Sequence, residues 1–356
     1  MNKAIKYAKK GAIIFGVGNA ALNLIKQLTE MNENPDQKFD WKRLLIAAGK
    51  GAVAGGAGGW LIGSVEDHNN SKIAPVDTNA FLYSVVHKVK LNKEDRQYLN
   101  LQEKADLLIG ILKSEYAGEL ASEPFRIGST EKGIALRNKF DIDIALSFKK
   151  NSFRSTAEMF DDLGDFLESL IGKYSIVRVR DQRVSIGVLF SIYGKEYKVD
   201  VVPKKKSSSS KKNTSGYLFV NDSNFWMDNS TYTKTDFHAL KNVRLTEGQK
   251  KIVIILKHWK IKNKVPISSH LLEALVLDAY EANRYRIPRG LTEKVIMVLR
   301  YIADNLDVAV IRSVENTNNV LTNISPESKS ITIEACVKAV QDYEYQPNSV
   351  IEAFKV

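Results

Sequence analysis

Asp141 and Asp143 stand two residues apart inside an apolar, β-branched run, and Asp200 stands in a second such run, residues 196–203 (EYKVDVVP). In an extended chain alternate side chains share a face, so Asp141 and Asp143 point the same way from one strand. The alternation over 197–202 sets Asp200 opposite in sense to Val199 and Val201. If the two strands are neighbours, three carboxylates converge on one patch of sheet. Carboxylates at that density repel one another unless a cation sits among them. Hard divalent ions take oxygen ligands, and Mg²⁺ completes its shell with water and substrate phosphates. Two such ions about 4 Å apart stabilise both the attacking and the leaving oxygen of an in-line phosphoryl displacement. Upstream, residues 125–130 (FRIGST) pass from an apolar stretch into Gly128, Ser129 and Thr130. A small, Gly-containing turn into a helix offers backbone N–H groups and a hydroxyl to a triphosphate.

In order, then, the chain carries Gly-Ser, a spacer over 130–140, Asp-hydrophobic-Asp-hydrophobic, and a later strand Asp. This order resembles the DNA polymerase β-type nucleotidyltransferase superfamily. Within it, the chain looks like the template-independent branch that holds oligoadenylate synthetase, cyclic GMP-AMP synthase and their bacterial antiphage relatives. Residues 255–260 (ILKHWK) and 267–273 (ISSHLLE) are similar to the Lys-x-Trp and Ser…Leu-Glu helices of that branch's helical lobe. The resemblance covers roughly residues 77–320 and leaves both ends unexplained. It implies catalytic, metal-ligating roles for Asp141, Asp143 and Asp200 on two Mg²⁺ or Mn²⁺ ions. It also implies that Gly128, Ser129 and Lys257 hold the triphosphate, and that Ser269 occupies a phosphate- or base-contacting position. The implied fold is α+β and two-lobed, a mixed-sheet palm facing a helical C-terminal lobe, with a helical hairpin added at the N terminus.

Taken singly, each part has a plainer reading. An isolated Asp pair is usually solvated, Gly128-Ser129 is an ordinary turn, and Lys257 beside Trp259 is a solvated tip next to a core aromatic. The functional reading rests on their occurrence together.

The 356 residues are 44% hydrophobic and 26% charged, enough for a sizeable core and for two domains or a two-lobed enzyme with an appendage. A formal net charge of +11 favours polyanionic partners: nucleoside triphosphates, oligonucleotides or an anionic surface. A single cysteine, Cys336, excludes an internal disulfide and suits a reducing compartment, so the expected location is cytoplasmic. The histidines show no zinc-ligand spacing, and no secretory signal is apparent.

Three regions are expected: a Gly-rich helical hairpin over 1–75, a catalytic palm over 76–240, and a helical lobe with a tail over 241–356. In the first, Ala12, Gly16 and Ala20, then Gly51, Gly55, Gly59 and Gly63, recur at every fourth position. Such stripes let helices approach closely, while each helical glycine costs about 1 kcal/mol in water. A packed hairpin or homodimer contact is therefore expected. Membrane association through residues 1–63 is the less favoured option, because Lys50 and seven glycines interrupt the apolar run at 44–63. Within the palm, Leu101, Ala105, Leu108 and Leu112 lie at helical spacing, and the resemblance implies one long helix bracing both lobes. Residues 204–216 (KKKSSSSKKNTSG) read as a mobile basic loop at the cleft edge, able to gather triphosphate. Thr246 is expected to cap the helix that carries Lys257, Tyr285 is a candidate base-stacking ring, and Trp226 a core residue.

After a last helix expected over 332–341, Tyr343 and Tyr345 stand on a tail that reads as flexible. An enzyme of this type needs an acceptor hydroxyl, and either tyrosine could prime synthesis. The bacterial Hailong defence nucleotidyltransferases resemble this chain in plan, which would imply tyrosine-primed synthesis of short DNA. The expected substrates are NTPs or dNTPs, and the product a short or cyclic oligonucleotide serving antiphage defence through a downstream effector protein. The alternatives are an RNA or tRNA 3′-end nucleotidyltransferase, a toxin-type enzyme modifying a protein or tRNA, and a non-catalytic sensor.

Overall fold

The computed structural model describes residues 76–209, 211–221 and 231–356. The hairpin expected over 1–75, with its dimer and membrane options, and Trp226 lie outside the described residues. Among those described, no helix is long and apolar enough to cross a membrane.

Two helices open the described chain: α1 (Thr78–Val89), capped by the Asp77 carboxylate, and α2 (Arg96–Glu115). A palm follows, comprising β1 (Phe125–Ile127), the single-turn α3 (Gly128–Lys132), β2 (Ile142–Phe148) and α4 (Thr156–Glu168). It continues through β3 (Ile176–Asp181), β4 (Ile186–Ile192), β5 (Lys195–Lys206), β6 (Gly216–Val220) and β7 (Thr231–Thr235). The strands form one mixed sheet in the order β1-β2-β5-β4-β3, with β6 joining β5 to β7. Among the described strands only β2 and β5 run parallel. A parallel neighbour needs a long crossover, which α4 and the β3–β4 hairpin provide. Alternation decides the faces: Ile142, Ile144, Val199 and Val201 bury against Leu101, Leu108 and Leu112 of α2 and Phe160 and Leu163 of α4. The residues between them on β2 and β5 must therefore turn to the other face.

The helical lobe contains α5 (Phe237–Asn242), α6 (Glu247–Lys262), α7 (Ser269–Ala282), α8 (Leu291–Asn305), α9 (Pro326–Tyr345) and α10 (Ser349–Phe354). Thr246 begins α6 with a reciprocal capping box to Gln249.

Three expectations are corrected. The single bracing helix is two, broken at 90–95, where Lys90 bridges Leu136. Leu82, Val85, Val86 and Val89 of α1 bury with Trp259 and Leu299 in the helical lobe, whereas α2 buries under the sheet. One stripe could not serve both layers, so the assignment of residues from 76 onward to the palm fails for α1. Second, the lysines at 204–206 continue β5 rather than opening a loop. Lys204 is buried, donates to the Thr214 carbonyl at 2.6 Å and lies 4.5 Å over the Phe237 ring. Third, the tail is docked. α9 extends to Tyr345, and α10 returns Val350 and Phe354 to the core, with Phe354 stacked on Trp259 at 6.5 Å.

Candidate active site

Strand register builds the site. Ile127 pairs with Asp143 between β1 and β2, and Asp143 pairs with Asp200 between β2 and β5. Asp141 lies one residue ahead of β2. The chain leaves β1 at Gly128, whose φ of 84° falls in the left-handed region. A Cβ built there would overlap the Asp143 carboxyl group. The glycine-serine turn is thus seated directly against the acidic patch.

Lys257 reaches the same turn from the other lobe. The Ile134 N–H donates to the Ser129 carbonyl at 3.0 Å, and Lys257 Nζ donates to the Ile134 carbonyl at 2.9 Å. Burial pushes the Lys257 ammonium down to about 8, against the opposing pull of Glu273 and Asp141. Beside it, Lys132 of α3 donates to Glu273 of α7 at 2.6 Å. Ser269 is exposed at the first position of α7, one turn before Glu273 and on the same helical face. Its neighbour Ser268 supplies the cap, accepting from the Leu271 N–H.

The carboxylates feel one another. Burial pushes Asp143 up to about 7, and the charges of Asp141 and Asp200 add to the shift. Burial raises Asp200 as well, offset in part by Lys198 and Gln182. Lys198 Nζ lies 2.7 Å from Asp200 Oδ2 and 3.4 Å from Asp141 Oδ2. Gln182 Nε2 donates to Asp200 Oδ1 at 2.7 Å. That bond exists because β4 has Gly187 opposite Asp200; a Cβ at Gly187 would overlap the Gln182 amide and come within 3.2 Å of Asp200 Oδ1.

Among the described residues no ready-made cluster of metal-ligating side chains is present. The donor set nevertheless fits a hard cation: all three acids are carboxylates, two are in direct register, and two already share one positive group, that of Lys198.

The structure thus brings together Gly128, Asp143, Asp200 and Asp141, and ties Ser129 to Lys257 through Ile134. The tyrosines are elsewhere. Tyr343 packs against the helical-lobe core beside Glu293 and Arg300, Tyr345 is 76% exposed at the end of α9, and Tyr285 is exposed with the Arg284 guanidinium 4.7 Å over its ring. Sequence reasoning missed Lys198, Gln182, Gly187 and Lys132. Lys198 had a signal, since it shares a strand face with Asp200 two residues on; Gln182 had none, because its approach depends on the β3–β4 hairpin.

No protein-family model matches the sequence, and no curated protein matches it significantly. Solved structures do resemble it. CdnC of E. coli MS115-1, determined with ATP, is 19% identical with a TM-score of 0.59, covering 78% of this chain and 96% of its own. The CD-NTase CdnG of Bradyrhizobium diazoefficiens, in complex with GTP, is 14% identical with a TM-score of 0.60, covering 80% and 96%. A cytoplasmic RNA terminal U-transferase is 14% identical with a TM-score of 0.53, covering 78% and 98%. The chain has the fold these enzymes share, that of the polymerase β-like nucleotidyltransferases.

Proposed function

We propose that this chain, built on a nucleotidyltransferase fold, is a template-independent nucleotidyltransferase acting on NTPs or dNTPs. The observation that carries the reading is the pairing of Asp143 with Asp200 in a surface against which Gly128 is packed. A glycine turn seated against three carboxylates suits transfer at a triphosphate.

In this reading Gly128 and Ser129 present the turn to the β- and γ-phosphates, and Lys257 holds that turn from the helical lobe. Two Mg²⁺ or Mn²⁺ ions held by Asp141, Asp143 and Asp200 would neutralise the triphosphate and the attacking oxygen. An acceptor hydroxyl oxygen forms the new bond to the α-phosphorus as the bond to pyrophosphate breaks, and the hydroxyl proton leaves to solvent. In the same reading Ser269, on the α7 face that carries Glu273, meets the nucleotide from the opposite lobe. Most of the acceleration is positioning and charge neutralisation.

The product we infer is a nucleotide signal, a short or cyclic oligonucleotide, made in the cytoplasm for antiphage defence and read by an effector protein. The similarity to CdnC and CdnG, bound to ATP and GTP respectively, supports this choice. A second reading, RNA 3′-end transfer, is favoured by the likeness to the terminal U-transferase and by the net charge of +11. Incubation with each labelled NTP and dNTP plus Mg²⁺ or Mn²⁺, with and without an RNA acceptor, separates them. Product formed without RNA supports the signal; product only on RNA supports tailing. Undiminished pyrophosphate release after Asp141→Asn with Asp143→Asn would remove the mechanism. If the chain primes itself, Tyr345 is the more exposed acceptor, and intact mass spectrometry would show the added nucleotides; an unshifted mass with product forming dismisses that route.

A further inference from the structure

We propose that Lys198 is the built-in counter-ion of the acidic site: it holds Asp141 and Asp200 while no divalent cation is bound, and withdraws when one enters. The inference rests on the reading of this patch as a divalent-cation site.

Three observations carry it. First, Lys198 stands two residues before Asp200 on β5, so both side chains leave the same face. Its Nζ is 2.7 Å from Asp200 Oδ2 and 3.4 Å from Asp141 Oδ2, so one ammonium spans two of the three carboxylates. Second, the two ends of the pair differ in freedom. The Asp200 side chain is 8% exposed and its other oxygen is held by Gln182, whereas the Lys198 side chain is 35% exposed. The carboxylate stays where it is; the lysine is a flexible chain reaching in from solvent and able to swing back. Third, Asp143 stands in direct register with Asp200, next to the acid that the ammonium holds.

An exposed lysine–carboxylate pair contributes little by itself. Here, however, the pair engages the oxygens that a divalent ion needs. An ammonium left in place would also crowd a doubly charged ion held by the same oxygens, a strongly repulsive arrangement at the effective dielectric of a protein surface. Lys198 and the ion therefore exclude one another. The acidic patch is kept from repelling itself before substrate arrives, and metal affinity is lowered, so that the ion enters most readily together with the triphosphate that supplies further oxygens.

The test uses the full chain without nucleotide, comparing wild type, Lys198→Met, Lys198→Gln and Lys198→Arg. Mn²⁺ binding is read by electron paramagnetic resonance of the free ion, and melting is followed in EDTA and in Mn²⁺. The uncharged variants are expected to bind Mn²⁺ about tenfold more tightly than wild type, to melt lower in EDTA, and to gain more from Mn²⁺; Lys198→Arg should track wild type. Saturable Mn²⁺ binding of equal affinity in all four proteins would overturn the counter-ion role and leave the acidic site standing. Absence of Mn²⁺ binding from every protein would overturn both. Should the variants fail to fold, crystals of wild type without and with Mn²⁺ decide: Lys198 beside Asp200 in the first and withdrawn in the second supports the proposal, and an unmoved ammonium beside bound Mn²⁺ refutes it.

Discussion

Lys132 donates to Glu273 at 2.6 Å across the two lobes, with side chains only 16% and 9% exposed. The lysine ends the single turn that starts at Gly128, and the glutamate lies on α7 beneath Ser269. The turn that starts at Gly128 and the helix opposite it are thereby held as one piece. Removing one partner leaves a buried charge alone, at a cost of about 3–5 kcal/mol. Glu273→Ala and Lys132→Met should each lower stability toward urea by about that much and raise KM for the nucleotide more than they lower kcat. The double variant should lose clearly less than the sum of the two. Additive losses would mean that the pair does not couple the lobes.

Gly128→Ala tests the seat of the turn. The new Cβ meets both a positive φ and the Asp143 carboxyl group, so stability should fall by about 2 kcal/mol and nucleotide transfer by at least roughly a hundredfold. Adding Asp143→Gly relieves the overlap. That double variant should recover part of the lost melting temperature, the positive-φ strain remaining, and no activity, which separates the structural defect from the chemical one.

Asp143 makes the metal-free protein pH-sensitive. Its carboxyl titrates at about 7 when folded, against 3.8 ordinarily. Between those values the folded chain keeps a proton that the unfolded chain has released. The stabilisation is therefore complete below about pH 4 and is lost as pH rises through about 7. In EDTA at pH 8, Asp143→Asn should melt a few degrees above wild type, and the two should converge by pH 4. In wild type, Mn²⁺ affinity should weaken as pH falls through about 7, because proton and cation compete for the same oxygen. A pH-independent gap between the melting curves would contradict the assignment.

Lys204 makes the opposite contribution at alkaline pH. Burial pushes its ammonium down to about 8 from 10.5, so the folded chain gives up this proton before the unfolded chain does. The cost of enclosing the charge is present below pH 8 and is relieved as pH approaches 10.5. The unfolding free energy of wild type relative to Lys204→Met should thus rise by about 2–3 kcal/mol across that interval. Chemical denaturation at pH 7.5 and 10 reads the difference directly, and a flat profile would mean that the lysine is more hydrated than its setting suggests.

Much of this was legible from residue order. The period-two alternation of 142–146 and 197–202 assigns faces, because a buried strand tolerates polar groups only on its far side. The Thr246 cap could be read because a cap is completed within one turn of chain. Gly128 and Ser129 next to the Asp pair could be read because the spacer returns β2 directly beside β1.

What failed was of longer range. A helical stripe says that a face is buried, not against which layer, so α1 and α2 could not be told apart as parts of different cores. Lys204 is charged, and nothing in its neighbours on the chain announces that Phe237 and the Thr214 carbonyl will enclose it. The tail tyrosines looked mobile because the anchor, Phe354 against Trp259, spans about a hundred positions.

The chain by itself determined which side chains were candidates: three acids, a glycine turn and a lysine helix, set by strand period and local backbone geometry. The tertiary structure alone decided their company. Asp143 meets Asp200 only because β2 and β5 align in parallel register, Lys132 meets Glu273 only because the lobes close on α3, and Lys198 spans two acids only because β5 lies beside the start of β2. Those are contacts between groups far apart in sequence, governed by packing and long-range charge, and no local rule contains them.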